Sequence, residues 1–206
     1  MFKKILIANR GEIACRIIKT LKSMKILSVA VFSDIDKTAL HVEMADVSIP
    51  IGGSTSQDSY LSIDKIITAI RVSGAEAVHP GYGFLSENYD FALRLEQEGI
   101  PFIGPHSKLI SLMGDKIKSK EFAVKAGLRV VPGDNKAQSD SKAALDSAQS
   151  IGFPVMLKAA AGGGGKGMRI VESKDCFESS FQLAQNEAQS SFNDNRVFLE
   201  KFIEDP

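Results

Sequence analysis

Short apolar runs alternate with segments of helical periodicity in the first half of the chain, and this pattern predicts the order of its elements. Residues 5–8 form an apolar run that ends at a polar turn, after which apolar residues recur at helical spacing as far as Met24. Residues 26–32 are rich in β-branched side chains and end in the polar segment 33–36. Strand, helix and strand in this order predict a βαβ unit with parallel strands.

Three further apolar runs continue the alternation. Strands are predicted at residues 47–50, 75–79 and 100–103, and a helix over 60–71 with its isoleucines turned inward. Another helix is predicted to begin after Asn88, whose side chain can accept a hydrogen bond from the first turn. Repeated strand and helix units of this kind are typical of an α/β fold with an open, doubly wound parallel sheet.

The pattern changes after residue 104, and we expect a domain boundary there that divides the chain into residues 1–112 and 113–206. Beyond residue 104 the predicted order is three helices, two strands that flank a glycine run, a helix and a last strand, at residues 109–113, 116–126, 143–151, 154–159, 168–171, 175–189 and 197–203.

The formal net charge of the chain is zero, so the chain as a whole does not attract anionic ligands electrostatically. Lysine plus arginine number 25 and aspartate plus glutamate also number 25, so neither nucleic acid nor a membrane surface is an expected partner. No apolar stretch of the sequence approaches the roughly 20 residues of a membrane-spanning helix. Cys15 and Cys176 lie far apart in sequence, and we predict buried structural thiols in a reducing compartment.

The strongest local signal is a run of four glycines, at positions 162–165, between two predicted strands. Lys166 follows the run and Lys158 stands at the end of the preceding strand. Consecutive glycines let backbone N–H groups approach phosphate oxygens, and the two lysines can supply positive charge. A glycine run is also typical of a mobile linker, so the run by itself leaves both interpretations open.

Two familiar phosphate-binding motifs do not fit the chain. A P-loop would need glycine at position 160 and serine or threonine at position 167, where the chain has alanine and glycine. A dinucleotide-binding fingerprint needs three glycines in the first strand-to-helix turn, which carries Gly11 alone. The histidines show no metal-ligand spacing, and no metal site is predicted.

Two other segments allow a plain interpretation as well as a functional one. Lys116 stands at the predicted start of a helix and can face an anion, with help from the helix dipole, if it lies in the first turn. It can equally be a solvated surface lysine. Residues 200–203 contain charged and apolar side chains, as an ordinary edge strand also does.

Taken together, these segments resemble the biotin carboxylase family over the whole chain, in the family's order and spacing. The resemblance rests on residues 7–14, residues 79–88, residues 113–116, the glycine run and residues 200–202. Within the family, Cys15, the alanine before the glycines, Lys166 and residues 200–206 are most similar to the α subunits of propionyl-CoA carboxylases.

The resemblance implies a doubly wound N-terminal domain, followed by the first, glycine-flap part of an ATP-grasp domain that is incomplete at residue 206. Tyr82 and Gly83 are implied to form a loop on the biotin side. The family's catalytic residues and magnesium ligands lie beyond residue 206, so the resemblance assigns no catalytic residue and no metal ligand within this chain. The implied ATP-binding residues are Lys116, Lys158, Gly162, Gly163, Gly164, Gly165, Glu200, Lys201, Phe202 and Ile203.

The implied reaction is attack of bicarbonate on the γ-phosphate of MgATP, which gives carboxyphosphate, followed by carboxylation of biotin. ATP and Mg²⁺ are the implied cofactors, with biotin as a carrier-bound substrate. Implied partners are bicarbonate, the biotinylated carrier domain and a carboxyltransferase subunit, in an oligomeric parent protein. The chain is then an N-terminal fragment that we predict to be inactive alone, from the cytoplasm of a bacterium or the mitochondrial matrix of a eukaryote.

Two other function classes stay open at this point. Another ATP-grasp ligase, such as a carbamoyl-phosphate or purine-pathway enzyme, would fit the glycine run and Lys158 equally well, but the segment 79–88 argues against it. A non-catalytic nucleotide-binding module would fit a chain that lacks the catalytic residues.

Overall fold

The structure is a computed structural model that describes residues 1–134, 136–160 and 167–204. The chain divides into two compact units, which we call unit 1 (Met1–Ser111) and unit 2 (Leu112–Pro206).

Unit 1 is built on a parallel sheet whose four strands stand in the order β3-β2-β1-β4. This observation confirms the predicted α/β, doubly wound class. The elements are β1 (Lys4–Ile7), α1 (Gly11–Ser23), β2 (Leu27–Phe32), α2 (Leu40–Met44), β3 (Val47–Pro50), α3 (Ile63–Ser73), β4 (Ala77–His79) and α4 (Tyr89–Gln97), after which α5 (Ser107–Gly114) follows.

Helices cover both faces of this sheet because successive strand side chains point to opposite sides. Leu6 packs in a cluster that includes Ile66 of α3 and Phe91 of α4. Ile5 and Ile7 belong to a second cluster with the inward side of α1. Full burial of each large apolar side chain contributes about 1.5–3 kcal/mol, so the two clusters hold the helices to the sheet.

Local signals set the ends of two helices, and the first of them, the cap at Asn88, was predicted from the sequence. The Asn88 side chain accepts a hydrogen bond from the Phe91 backbone N–H at 2.8 Å and caps α4. Helix α3 ends at Gly74, whose φ of 64° lies in the left-handed region that glycine adopts without strain.

Two predictions made from the sequence are wrong, one for the sheet of unit 1 and one for the cysteines of both units. Residues 100–103 do not form a full strand but make a single parallel bridge, Val78 to Phe102. Val78 donates to the Pro101 carbonyl at 2.9 Å and accepts from the Ile103 N–H at 2.8 Å, but neither Pro101 nor Pro80 has an N–H with which to add a further ladder bond. The cysteines are not both buried, since Cys15 is half-buried and Cys176 is exposed.

Unit 2 contains an antiparallel sheet of order β6-β5-β7. Its elements are α6 (Lys116–Lys125), α7 (Ser141–Ile151), β5 (Val155–Ala159), β6 (Arg169–Val171), α8 (Phe177–Phe192) and β7 (Val197–Lys201). One sheet face packs on α7 and α8, through a cluster that includes Leu157, Ala148 and Phe181. In the part of the chain that is described, no helix is both long and apolar enough to cross a membrane.

Candidate functional site

The sheet of unit 2 presents a charged surface on the face opposite its core. Val155 and Leu157 of β5 point into the core, so Lys158 points to the other side. Lys158 pairs with Phe198 of β7 in the antiparallel register, and Glu200 lies two residues further along that strand. The alternation of the two strands therefore brings Lys158 and Glu200 to the same face.

A cleft of about 540 Å³ lies at this charged face. Part of its wall is apolar, and includes Met113, Met168 and Phe198. Its charged lining consists of Lys116, Lys120, Arg129, Lys158 and Glu200.

Glu200 is the centre of the polar contacts in the cleft. Its carboxylate accepts a hydrogen bond from Lys158 Nζ at 2.5 Å and another from Lys120 Nζ at 3.0 Å. Burial acts to raise the pKa of Glu200, but the hydrogen bonds and charges of Lys158 and Lys120 outweigh it, and the pKa lies below its ordinary value. Glu200 is therefore a charged, doubly paired carboxylate although only 9% of its surface is exposed.

Lys116 reaches the same region from helix α6. It is the first residue of α6, and its Nζ donates to the Ala159 carbonyl at the end of β5 at 3.0 Å. Burial, together with the nearby charge of Lys158, lowers the pKa of Lys116 below its ordinary value. Lys116 therefore lies in the first turn of its helix, which is the position that the sequence analysis required of a lysine that faces an anion.

The start of helix α6 is nevertheless capped by the protein itself. The Asp115 side chain accepts hydrogen bonds from the backbone N–H groups of Ile117 and Lys118, both at 3.0 Å. These two donors are already used, so an anion near Lys116 would be held by the lysine amine more than by the helix terminus.

The cleft has the electrostatic character of an anion-binding site. Four cationic side chains and one carboxylate line it, which leaves an excess of positive charge. Lysine amines are suited to phosphate groups as point charges, and the apolar wall can cover a ring system. The arrangement can therefore hold a ligand with a phosphorylated end and an apolar end.

The predicted glycine run lies outside the described residues, as does Lys166. Its described neighbours are held together: the Ala159 N–H donates to the Gly167 carbonyl at 3.1 Å. Gly167 has a φ of 70°, and a Cβ at this position would come within 2.9 Å of Ala159 Cβ. Both observations make glycine the suitable residue where β6 approaches the end of β5.

The three residues that follow Glu200 are placed differently from Glu200 itself. The Lys201 side chain lies on the other face of the sheet and donates to the carbonyls of Gly152 and Phe153, at 2.9 and 3.0 Å. The Phe202 N–H donates to the Pro154 carbonyl at 3.2 Å, and Ile203 is 47% exposed. The described lining of the cleft does not include Lys201, Phe202 or Ile203.

In unit 1, the loop that carries Tyr82 and Gly83 is fastened to the end of β1. Asn9 is buried, and its Nδ2 donates to the carbonyls of Pro80 and Tyr82, both at 2.8 Å. The Tyr82 ring is exposed, and its hydroxyl donates to Glu12. Gly83 adopts a positive φ of 66°, which gives the turn its shape.

A second set of contacts supports the residue after that turn. The Phe84 ring stacks on Tyr60 with a centroid distance of 5.3 Å, and the Arg10 guanidinium lies within 6 Å of both rings. Tyr60 donates to Asp36 at 2.7 Å, and burial together with this carboxylate raises the pKa of Tyr60 to about 12. Asp36 also accepts from Ser33 at 2.7 Å.

Sequence reasoning missed Lys120 and Arg129 as residues of the cleft, and it missed Asn9 as the residue that holds the Tyr82 loop. A signal for Lys120 exists, because it follows Lys116 by four positions and must share its face of a helix. Asn9 gives no such signal, since its partners are backbone carbonyls more than 70 residues away in sequence.

The described residues contain no group of three or more histidine, cysteine, aspartate or glutamate side chains that could hold a metal ion.

Comparison with known families matches both units. The family model of the "Biotin carboxylase, N-terminal domain" matches residues 1–110. The family model of the "Carbamoyl-phosphate synthase L chain, ATP binding domain" matches residues 115–206. The propionyl-CoA carboxylase alpha chain of Ruegeria pomeroyi is 54% identical over 206 residues, which are 100% of this chain and 30% of that protein. The human mitochondrial alpha chain is 51% identical over 205 residues, 28% of its length.

Solved structures agree with these matches. A biotin carboxylase from Campylobacter jejuni, in complex with beta-gamma-ATP, has a TM-score of 0.95 at 46% identity and covers 100% of this chain and 46% of its own. The biotin carboxylase domain of Hydrogenobacter thermophilus 2-oxoglutarate carboxylase, in complex with MgADP, ADP and bicarbonate, has a TM-score of 0.92 at 48% identity, over 99% of this chain and 45% of its own. The chain thus spans less than a third of the curated relatives named above, and it matches their N-terminal part.

Proposed function

Since the chain belongs to the biotin carboxylase family, we propose that it supplies the nucleotide-binding start of a biotin carboxylase component. Residues 1–112 would be the N-terminal domain of that component, and residues 113–206 the first part of its ATP-grasp domain. The division of the chain into units and the two family matches support this assignment.

The observation that carries the proposal is the cationic cleft of unit 2. Lys116 and Lys158 would contact the phosphates of ATP, and residues 162–165 would cover them. Glu200 would lie beside the nucleotide, with Lys201, Phe202 and Ile203 at the adenine. Phosphoryl transfer depends on positioning and on neutralisation of charge, and lysine amines in a partly apolar cleft provide both.

For the parent protein we propose the family reaction, in which bicarbonate and ATP give carboxyphosphate and biotin is then carboxylated. Magnesium would neutralise charge on the phosphates when bound. The structure of the 2-oxoglutarate carboxylase domain with MgADP and bicarbonate supports the nucleotide and bicarbonate parts of this proposal. The chain alone would bind nucleotide without turnover, and Tyr82 and Gly83 would belong to the biotin side.

The acyl substrate we propose is propionyl-CoA, with a biotinylated carrier domain and a carboxyltransferase subunit as partners in an oligomer. The first relatives, all propionyl-CoA carboxylase alpha chains, support this choice over a different ATP-grasp ligase. The site of action would be the cytoplasm of a bacterium or the mitochondrial matrix of a eukaryote, since relatives of both origins exist.

Calorimetric titration of the chain with MgATP tests the proposal. Lys158→Ala is expected to raise the dissociation constant about 30-fold, because it removes a charge-assisted phosphate contact. Lys174→Ala, an exposed lysine of the same unit, serves as the matched control and should leave the affinity unchanged. Absence of MgATP binding by the parent chain, or equal affinities of the parent and Lys158→Ala, would contradict the assignment.

A further inference from the structure

The Glu200 carboxylate is shared between two lysines that differ in their access to solvent. Lys158 Nζ donates to Oε2 at 2.5 Å, and Lys120 Nζ donates to Oε1 at 3.0 Å. The Lys158 side chain is 26% exposed, whereas that of Lys120 is 9% exposed. Lys158 is therefore the member of the pair that an anion in the cleft can reach first.

A phosphate bound in the cleft competes with Glu200 for Lys158. An amine that turns toward a phosphate oxygen weakens or breaks its bond to the carboxylate. The Glu200 side chain is only 11% exposed, and a buried carboxylate that loses its last counter-charge is strongly destabilised. Release of Lys158 is thus favourable only if another cation stays with Glu200.

Lys120 meets this requirement by its position. It is bonded to the other carboxylate oxygen, so its contact does not depend on Lys158. It is carried by helix α6, one turn after Lys116, and its nearly buried amine is directed at Glu200. The two lysines lie on one face of α6 but have different partners: Lys116 contacts the Ala159 carbonyl at the end of β5, and Lys120 contacts Glu200.

We propose that Lys120 is a positioning residue for nucleotide binding, which keeps Glu200 paired and in place while Lys158 exchanges Glu200 for a phosphate oxygen. This inference rests on the proposed function, because it takes the phosphates of a nucleotide as the group that attracts Lys158. Lys120 and Glu200 form the fixed pair, and Lys158 is the exchanging member.

Calorimetric titration of the whole chain with MgADP measures this role. Lys120→Met is expected to raise the dissociation constant about tenfold, because release of Lys158 would then leave Glu200 unpaired. Lys120→Arg keeps the charge and should stay within about threefold of the parent chain. Lys125→Met makes the same change at an exposed position of the same helix and is the matched control.

A double-mutant cycle separates this role from a general contribution to folding. In a Glu200→Gln background, the amide needs no counter-charge, so Lys120→Met should change the MgADP affinity by less than about twofold. A lysine that merely stabilised unit 2 would weaken binding equally in both backgrounds. Circular dichroism identifies variants that fold, and Lys120→Gln, which retains a hydrogen-bond donor, replaces Lys120→Met if the latter does not.

The possible outcomes distinguish the proposed role of Lys120 from the proposed nucleotide-binding function on which it rests. Absence of MgADP binding by the parent chain would contradict both. Binding by the parent chain that is unaffected by Lys120→Met, or reduced to the same extent in the Glu200→Gln background, would overturn the inference alone. A loss in the parent background that the Glu200→Gln background removes would support it.

Discussion

The polar groups around Tyr60 in unit 1 and those around Glu200 in unit 2 are organised in opposite ways. In unit 1, Asp36 is satisfied by Tyr60, Ser33 and Arg10, and Asn9 fastens a loop through two backbone carbonyls. In unit 2, several cations face one carboxylate across an open cleft. The first arrangement is complete without a ligand, whereas the second leaves positive charge for an incoming anion.

This difference separates a polar network that stabilises a fold from one that can bind. A network whose donors and acceptors are satisfied by the protein fixes one conformation. A cluster with an excess of one charge gains free energy when a ligand supplies the opposite charge. The same residue types thus serve two purposes, and the local balance of charge decides which.

The largest effect on stability is expected from Glu200→Ala. The substitution leaves Lys120 and Lys158 without their carboxylate, and we expect the free energy of unfolding to fall by about 3 kcal/mol. Urea denaturation measures the loss. Glu187→Ala, which breaks the more exposed pair with Arg169, is the control and should cost under about 1 kcal/mol. Losses of equal size would mean that Glu200 is no more than a surface ion pair.

Asn9→Asp is expected to have the next largest effect, and it acts on unit 1. The replacement is isosteric but puts a carboxylate oxygen against the carbonyls of Pro80 and Tyr82, so stability should fall by about 2 kcal/mol. Amide hydrogen exchange should show faster opening in residues 80–84. Asn186→Asp, at an exposed position of α8, is the control, and comparable destabilisation by the two changes would argue against the fastening role of Asn9.

Tyr60→Phe is expected to cost about 1.5 kcal/mol, because it removes the hydrogen bond to Asp36 and the acceptor of the Ser33 backbone N–H, while the ring stack with Phe84 remains. Tyr89→Phe, at an exposed tyrosine, supplies the comparison. The measurement is chemical denaturation of both variants. The MgATP affinity should not change in Tyr60→Phe. A clear change in affinity would contradict the view that the polar groups around Tyr60 stabilise the fold without contributing to nucleotide binding.

The smallest effect is the contribution of Glu200 to the pH dependence of stability. Because its folded pKa lies below the ordinary value of 4.5, the stability that its ionised form contributes is present above pH 4.5. This contribution is lost as pH falls through the folded pKa. The stability difference between the parent chain and Glu200→Gln should therefore be constant down to pH 4.5 and shrink below it, and a difference that grows on acidification would contradict the paired carboxylate.

Particular residues show how much of the structure could be predicted from the sequence. The alternation along β5 and β7 could be read from apolar positions, and it places Lys158 and Glu200 on one side of their strands. The sequence also indicated the cap at Asn88 and the helix start at Lys116. The strand predicted at residues 100–103 was wrong although Pro101, which cannot donate a ladder hydrogen bond, is visible in the sequence; only the structure showed that the pairing stops at the single bridge of Val78 and Phe102.

The pattern of apolar and polar residues by itself determined the class of the fold, the order of most of its elements, though not helix α2 or the end of the parallel sheet, and the lysines and glycines that could meet a phosphate. These features depend on local periodicity and on the chemistry of single side chains. Only the tertiary structure decided that Lys120 and Lys158 share one carboxylate, that the Lys201 side chain turns to the carbonyls of Gly152 and Phe153, and that Asn9 secures a distant loop. The physical reason is that such contacts depend on distances in space between residues far apart in sequence, which periodicity does not encode.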